Sequence, residues 1–212
     1  MLNLISKDIL MQKKTLAIAI LFIFVESIYV YFAKEVPVII ISILVPFAVE
    51  YLLLTNSCLL DDKNKSYIII NSLPVTKKNV VIAKYISVLV FFVIAICIQS
   101  IFAALINSNK GIMKIEYIII CFCLIAILNS VYLPAYFKSG YAKTKWLIMI
   151  LFFAMYLGIS SINNHNLIKM IKIFTSMSYW TLCGSALLIS AILMVISFFI
   201  SSAFYNNREL SR

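Results

Sequence analysis

Charge is what this sequence has least of. Its 212 residues carry 8 acidic and 18 basic side chains, so that 12% of the chain is charged and 64% is apolar. A soluble domain has roughly twice that charged fraction and an apolar share nearer half. The mean hydropathy of +1.06 points the same way. This excludes a soluble globular domain and, more firmly, a disordered chain. Four Gly and four Pro leave no material for a collagen-like or low-complexity array. No Gly-x-x-x-x-Gly-Lys-Ser/Thr stretch is present to cradle nucleotide phosphates, so the chain has no P-loop of its own. Histidine occurs once, as His165 between Asn164 and Asn166, without a Cys or carboxylate beside it, and reads as a solvated loop residue. No Ser/His/Asp or paired-carboxylate arrangement can be assembled, and no catalytic site, metal or cofactor is expected. The five cysteines, Cys58, Cys97, Cys121, Cys123 and Cys183, include no C-x-x-C pair. Cys121 and Cys123 would point about 200° apart on a helix, which prevents joint chelation of one metal. They read as small apolar filling rather than a disulfide framework.

What is present is length in apolar runs. About 20 apolar residues span the roughly 30 Å of a bilayer's hydrocarbon core, and six stretches meet or approach this, at 15–33, 36–58, 83–106, 115–137, 146–161 and 180–204. The expectation is an all-α polytopic membrane protein, one transmembrane domain over 1–212, with 1–14 as an interfacial helix, 59–82 as an inner loop and 162–179 as an outer amphipathic segment. The first stretch is too long for a signal h-region, carries Glu26 and lacks a small-x-small site before Lys34-Glu35, so it is expected to be retained. With both termini cytoplasmic, the inner segments hold Lys7, Lys13, Lys14, Lys63, Lys65, Lys77, Lys78, Lys84, Lys138, Lys143, Lys145, Arg208 and Arg212, 13 of the 18 basic residues. This is a positive-inside pattern. The net charge of +10 then belongs to topology and to the lipid surface, and nucleic acid is not an expected partner. Trp146 and Trp180 fall at opposite boundaries, as interfacial anchors do.

A few polar features interrupt the apolar runs. An acid within a span costs on the order of 3 kcal/mol on insertion scales, which makes Glu26 and Glu50 candidate pathway residues. The alternative reading is that each is protonated, or paired with a neighbour such as Tyr29 or Tyr51, and only packs helices. Pro37 opens a span, while Pro46 and Pro134 lie inside spans and should kink them. Ala186, Ser190, Ser197 and Ser201 form a stripe of small residues on the last span, suited to close helix approach, with its partner open between this chain and a second one.

The longest inner segment runs from Leu59 to Ile86, LLDDKNKSYIIINSLPVTKKNVVIAKYI. Asp61 or Asp62 can cap a short helix that ends at Leu73-Pro74, and Thr76 can cap the next, which runs through Lys77, Lys78 and Lys84 into the membrane. The order of acidic residues, short apolar helix, NSLPVTKKNVVIAKY and apolar span resembles the loop of ABC type 2 exporter permeases, in their small six-span branch without a fused ATPase. The basic stretch LNLISKDILMQKK resembles that family's connector helix, and Asn166–Met177 its re-entrant outer segment. The resemblance implies that the loop holds a coupling helix docking onto a separate ATPase subunit. Docking would fall on Lys65, Ser66, Tyr67, Ile68, Ile69, Ile70, Asn71 and Leu73, with Pro74 setting the bend and Lys77, Lys78 and Lys84 at the lipid surface. It also implies a second membrane domain, from another copy of this chain or a paralogous permease.

Spans with so little fixed charge and so many Phe, Tyr, Ile and Met side chains suit apolar or amphipathic cargo. Small members of the resembled branch are implicated in exporting amphipathic peptides, which makes such peptides the expected cargo. Two readings of other classes stand beside this one. They are an ATP-independent carrier or channel using Glu50, which would call for repeated, Gly/Pro-broken halves, and a non-transporting membrane partner protein.

Overall fold

The computed structural model describes residues 2–32, 38–66, 76–106, 115–161 and 179–207. Among them all regular structure is helical, in seven helices: α1 (Leu2–Leu10), α2 (Lys13–Phe32), α3 (Val38–Lys63), α4 (Lys77–Ile106), α5 (Ile115–Ser139), α6 (Tyr141–Ser161) and α7 (Tyr179–Asn207). Four of them contain stretches long and apolar enough to cross a membrane, Ser42–Lys63, Lys77–Ile101, Ile115–Ser139 and Cys183–Asn207. The first and fifth expected spans fall on α2 and α6, helices of 20 and 21 residues. Of the expected docking segment, Tyr67, Ile68, Ile69, Ile70, Asn71, Leu73 and Pro74 lie outside the described residues, as do Pro37, His165 and residues 162–178.

Four helices close a ring, α3 against α4, α4 against α7, α7 against α5 and α5 against α3. α2 lies along α3 and α4, α6 lies along α5 and α3, and α1 crosses against α4. The periodicity of burial explains each place. α3 buries pairs one turn apart over most of its length, Val45 and Pro46, Val49 and Glu50, Leu53 and Leu54, Ser57 and Cys58, a face wide enough for several neighbours. Among its described side chains α2 buries the narrow line of Ala19 and Ile23, with Leu16 partly covered, and turns Ile18, Leu21, Phe22 and Val25 outward. α6 turns Trp146, Met149, Ile150 and Phe153 outward in the same way. In a bilayer such outward side chains meet lipid at no cost, so helix association rests on close packing and interhelical hydrogen bonds.

The small-residue stripe of α7 is used within the chain. Ser190, Ser197 and Ser201 are buried. The Tyr85 hydroxyl lies 2.6 Å from Ser197 Oγ and 2.9 Å from Ser201 Oγ, and the Tyr85 ring meets Phe198 edge-on. α5 and α7 share the most extensive interface among the described residues, with Ser190 facing Cys123 and Phe137 against Tyr205. Pro46 and Pro134 are carried inside the continuous helices α3 and α5, both buried. Cys58, Cys121, Cys123 and Cys183 are buried and Cys97 is exposed, all as free thiols.

Candidate functional site

Near the helix ends that border the 64–76 loop, charged side chains from three helices meet. α3 ends in Asp61-Asp62-Lys63. Its last turn is closed by Asn64 N–H to the Leu60 carbonyl at 2.9 Å and Lys65 N–H to the Asp62 carbonyl at 3.2 Å. Lys65 stands at φ 48°, in the left-handed region, a conformation costing a non-glycine residue roughly 1–2 kcal/mol. The chain turns away from α3 here, just as the expected docking segment begins, leaving Lys65 exposed and Ser66 buried. On the far side of the loop Thr76 opens α4 as expected, its hydroxyl accepting from Asn79 N–H at 3.4 Å.

Between these two helix ends sits a node of two carboxylates and two ammonium groups. Lys84 Nζ, on the second turn of α4, donates to Asp61 Oδ2 at 2.7 Å, to Ser57 Oγ at 2.6 Å and to Asp8 Oδ2 at 3.3 Å. Lys7 Nζ lies 2.7 Å from Asp61 Oδ1 and 3.5 Å from Asp8 Oδ1. Ser87 Oγ donates to Asp8 Oδ2 at 3.2 Å. Each carboxylate thus meets both ammonium groups and the node's formal charge is zero. The balance matters because Lys84 is only 5% exposed and Asp8 6%, and an unpaired charge at that depth would cost several kcal/mol. Mechanically the node pins α1, α3 and α4 together at the foot of the loop.

One expectation is corrected by this arrangement. Lys84 is not at the lipid surface: it falls in register with the buried line Val81, Val88 and Phe91, and the facing acids draw it inward. Asp61 and Asp62 themselves belong to the last turn of α3, and the short helix expected after them falls on residues outside those described. Asp61 serves the node, and Asp62 caps a different helix, its Oδ2 accepting the Tyr141 N–H at 2.6 Å at the start of α6. Gly140, at φ 78°, supplies the left-handed turn from α5 to α6 that presents this N–H. Lys77 Nζ reaches the Asn206 carbonyl near the end of α7 at 3.0 Å, a favourable place for a cation. Lys138 stands over the Phe204 ring at 5.1 Å. One end of the bundle therefore gathers contacts from α1, α3, α4, α5, α6 and α7.

Lys7 and Asp8 were not singled out by sequence reasoning. The available signals were a lysine in phase with the apolar line of α4 and an acid in phase with the buried Gln12 one turn on, in a chain with 8 acids in all. Gln12 is itself buried and donates to the Leu53 carbonyl at 2.8 Å, joining the α1–α2 turn to α3.

Farther from the loop along α3, Glu50 is fully buried. Asn129 of α5 is its hydrogen-bond partner, the Nδ2 donating to Glu50 Oε1 at 2.9 Å. Glu26 is separate from both groups, half-buried on α2, with Oε2 covered and without a hydrogen-bond partner among the described residues. The structure thus brings Lys65 and Ser66 close in sequence to the node, sets Glu50 in the bundle interior, and leaves Glu26 at the periphery. Among the described residues no group of three His, Cys, Asp or Glu side chains is placed to hold a metal ion.

A helical bundle with lipid-facing apolar surfaces, a neutralised ionic node at one end and a loop emerging from that end defines a polytopic membrane protein. The family model described as ABC-2 family transporter protein matches residues 3–206, nearly the whole chain, and the chain belongs to that family of transporter membrane proteins. No curated protein and no solved structure matches it.

Proposed function

We propose that this protein is the membrane-spanning subunit of an ATP-driven exporter, energised by a separate ATPase that docks on the loop over Lys65–Pro74. In this reading α2, α3, α4, α5, α6 and α7 all cross the membrane, both termini are cytoplasmic, and the node end of the bundle faces the ATPase. A second membrane subunit, another copy or a paralogous permease, completes the transporter. Membership of the ABC-2 family supports an ATPase partner, and the absence of a P-loop in the sequence requires ATP to be bound elsewhere.

The observation that carries the proposal is the pairing of Lys84 with Asp61 and Asp8 at 2.7 and 3.3 Å. The loop leaves α3 just after Asp61 and enters α4 just before Lys84, so a load applied to the loop reaches two helices that are pinned to each other and to α1. Packed, hydrogen-bonded elements transmit such a displacement as a unit. Apolar or amphipathic molecules, amphipathic peptides among them, are the cargo class that suits spans with so little fixed charge.

The test is co-purification of the protein with its ATPase. Tyr67→Asp, or polar replacement of Ile68, Ile69 and Ile70, should abolish association while leaving the melting temperature of the isolated membrane subunit unchanged. Association that survives both changes overturns the docking assignment. Stimulation of ATP hydrolysis by amphipathic helical peptides supports peptide cargo, and a response to lipids or drugs alone removes it. If ion flux proceeds without ATP and is lost in Glu50→Gln, the chain is instead a carrier or channel.

A further inference from the structure

Glu50 and Asn129 present an incomplete set of hydrogen bonds. Both side chains have no exposure at all. One bond joins them, Asn129 Nδ2–H to Glu50 Oε1 at 2.9 Å. The other half of each group, Glu50 Oε2 and Asn129 Oδ1, is buried and finds no donor among the described residues. Two buried acceptors left open on adjacent planar groups are costly, and in hydrocarbon no bulk water relieves them.

The charges that could compensate an ionised Glu50 are committed elsewhere. From α4 the cation is Lys84, held by Ser57, Asp61 and Asp8 at the level of Ser57, two turns or about 10 Å along α3. From α5 the titratable groups are the Cys121 thiol, donating to the Ile43 carbonyl at 3.5 Å, and Tyr132, whose ring meets Tyr51. α2 carries exposed Lys13 and Lys14 at its start and Glu26 on its later turns, with neutral Gln12 preceding it at the level of Leu53. α6 carries Tyr141, whose backbone serves Asp62, and exposed Lys143 and Lys145. Among the described residues none forms an ion pair with Glu50.

A single proton resolves every open valence. Placed on Glu50 Oε2 it turns an acceptor into a donor, and the open acceptor on the side chain already bonded to Glu50 is Asn129 Oδ1. The result is a ring of two antiparallel hydrogen bonds between a carboxylic acid and a carboxamide. We infer that Glu50 and Asn129 form a buried proton-binding site, a neutral acid–amide pair that latches α3 to α5. When these helices part and water reaches the pair, the O–H bond of Glu50 breaks, its proton passes to water and a hydrated carboxylate remains. Separation of α3 from α5 is therefore linked to release of one proton, whatever the ATPase or the cargo.

Infrared spectroscopy of the full chain in lipid nanodiscs tests this. The wild-type minus Glu50→Gln difference at neutral pH should contain the carbonyl stretch of a protonated carboxylic acid, and Asn129→Val should shift that band by removing its partner. A difference spectrum showing only ionised carboxylate overturns the proton site, and an acid band unmoved in Asn129→Val overturns the pairing. Should Asn129→Val fail to fold, Glu50→Gln still decides by melting. Its amide reproduces the donor and acceptor of the protonated acid, so its melting temperature should match the wild type at neutral pH and exceed it in alkaline buffer. A Glu50→Gln protein that melts well below the wild type at neutral pH overturns the pair.

Discussion

Replacing Lys84 with Met removes one ammonium group from the node while keeping an unbranched side chain of similar length. Two carboxylates and one ammonium remain, with the Asp61 oxygen at 2.7 Å, the Asp8 oxygen at 3.3 Å and the Ser57 hydroxyl at 2.6 Å all losing the Lys84 ammonium, although Ser87 still donates to Asp8 Oδ2. Breaking a buried pair from one side costs about 3–5 kcal/mol, because the residual charge stays desolvated. Lys7 still contacts both acids and is itself partly exposed, which argues for the lower end, about 3 kcal/mol. On the scale of roughly 2–4 °C per kcal/mol for chains of this size, the melting temperature should fall by roughly 6–12 °C. The protein supplies its own probe. Cys58, Cys121, Cys123 and Cys183 are buried and Cys97 is exposed, so a thiol-reactive dye reports unfolding above a constant baseline.

The companion Lys84→Met/Asp61→Asn should recover part of the loss, with a coupling on the order of 1 kcal/mol or more. High salt should leave the wild-type melt in place, since the Lys84 ammonium, on a residue 5% exposed, is little screened. A melting temperature within about 2 °C of wild type, or additive single and double variants, would refute the node as a buried, coupled unit.

Two further predictions concern joints between helices. Asp62→Ala removes the side-chain cap on Tyr141 N–H and should lower stability by about 1 kcal/mol; amide hydrogen exchange at the start of α6 should rise while that of α4 stays constant. Tyr85→Phe deletes the hydroxyl shared by Ser197 and Ser201 and should cost about 1–2 kcal/mol. In the same melting assay, a Ser197→Ala change added to Tyr85→Phe should then cost little more.

Much of the architecture is legible along the chain because hydrocarbon imposes one rule on every span: about 20 apolar residues with internally bonded backbone. Expected stretches at 83–106, 115–137 and 180–204 each lie within α4, α5 and α7, and the described part of 36–58 lies within α3; the Thr76 cap was readable from its position before Lys77. Candidate site residues were less legible. Glu50 stood out because acids are rare in apolar runs, yet its partner Asn129 lies 79 positions away, and no local pattern joins the two. Lys84 was placed at the lipid surface by the family resemblance, which carries no information on what faces this side chain. Its burial depends on Asp8 and Asp61, 76 and 23 positions off.

The sequence by itself determined that this is a helical membrane protein and where its four long apolar helices run, since composition and run length are properties of the linear chain. Tertiary structure alone decided which charges are buried and neutralised, that Asp62 caps α6, that the serine stripe of α7 packs inside its own chain, and that Glu50 faces an amide. The reason is that periodicity assigns a face to a helix and leaves its neighbour unspecified. The energy of a buried polar group depends on what that neighbour offers within hydrogen-bonding distance.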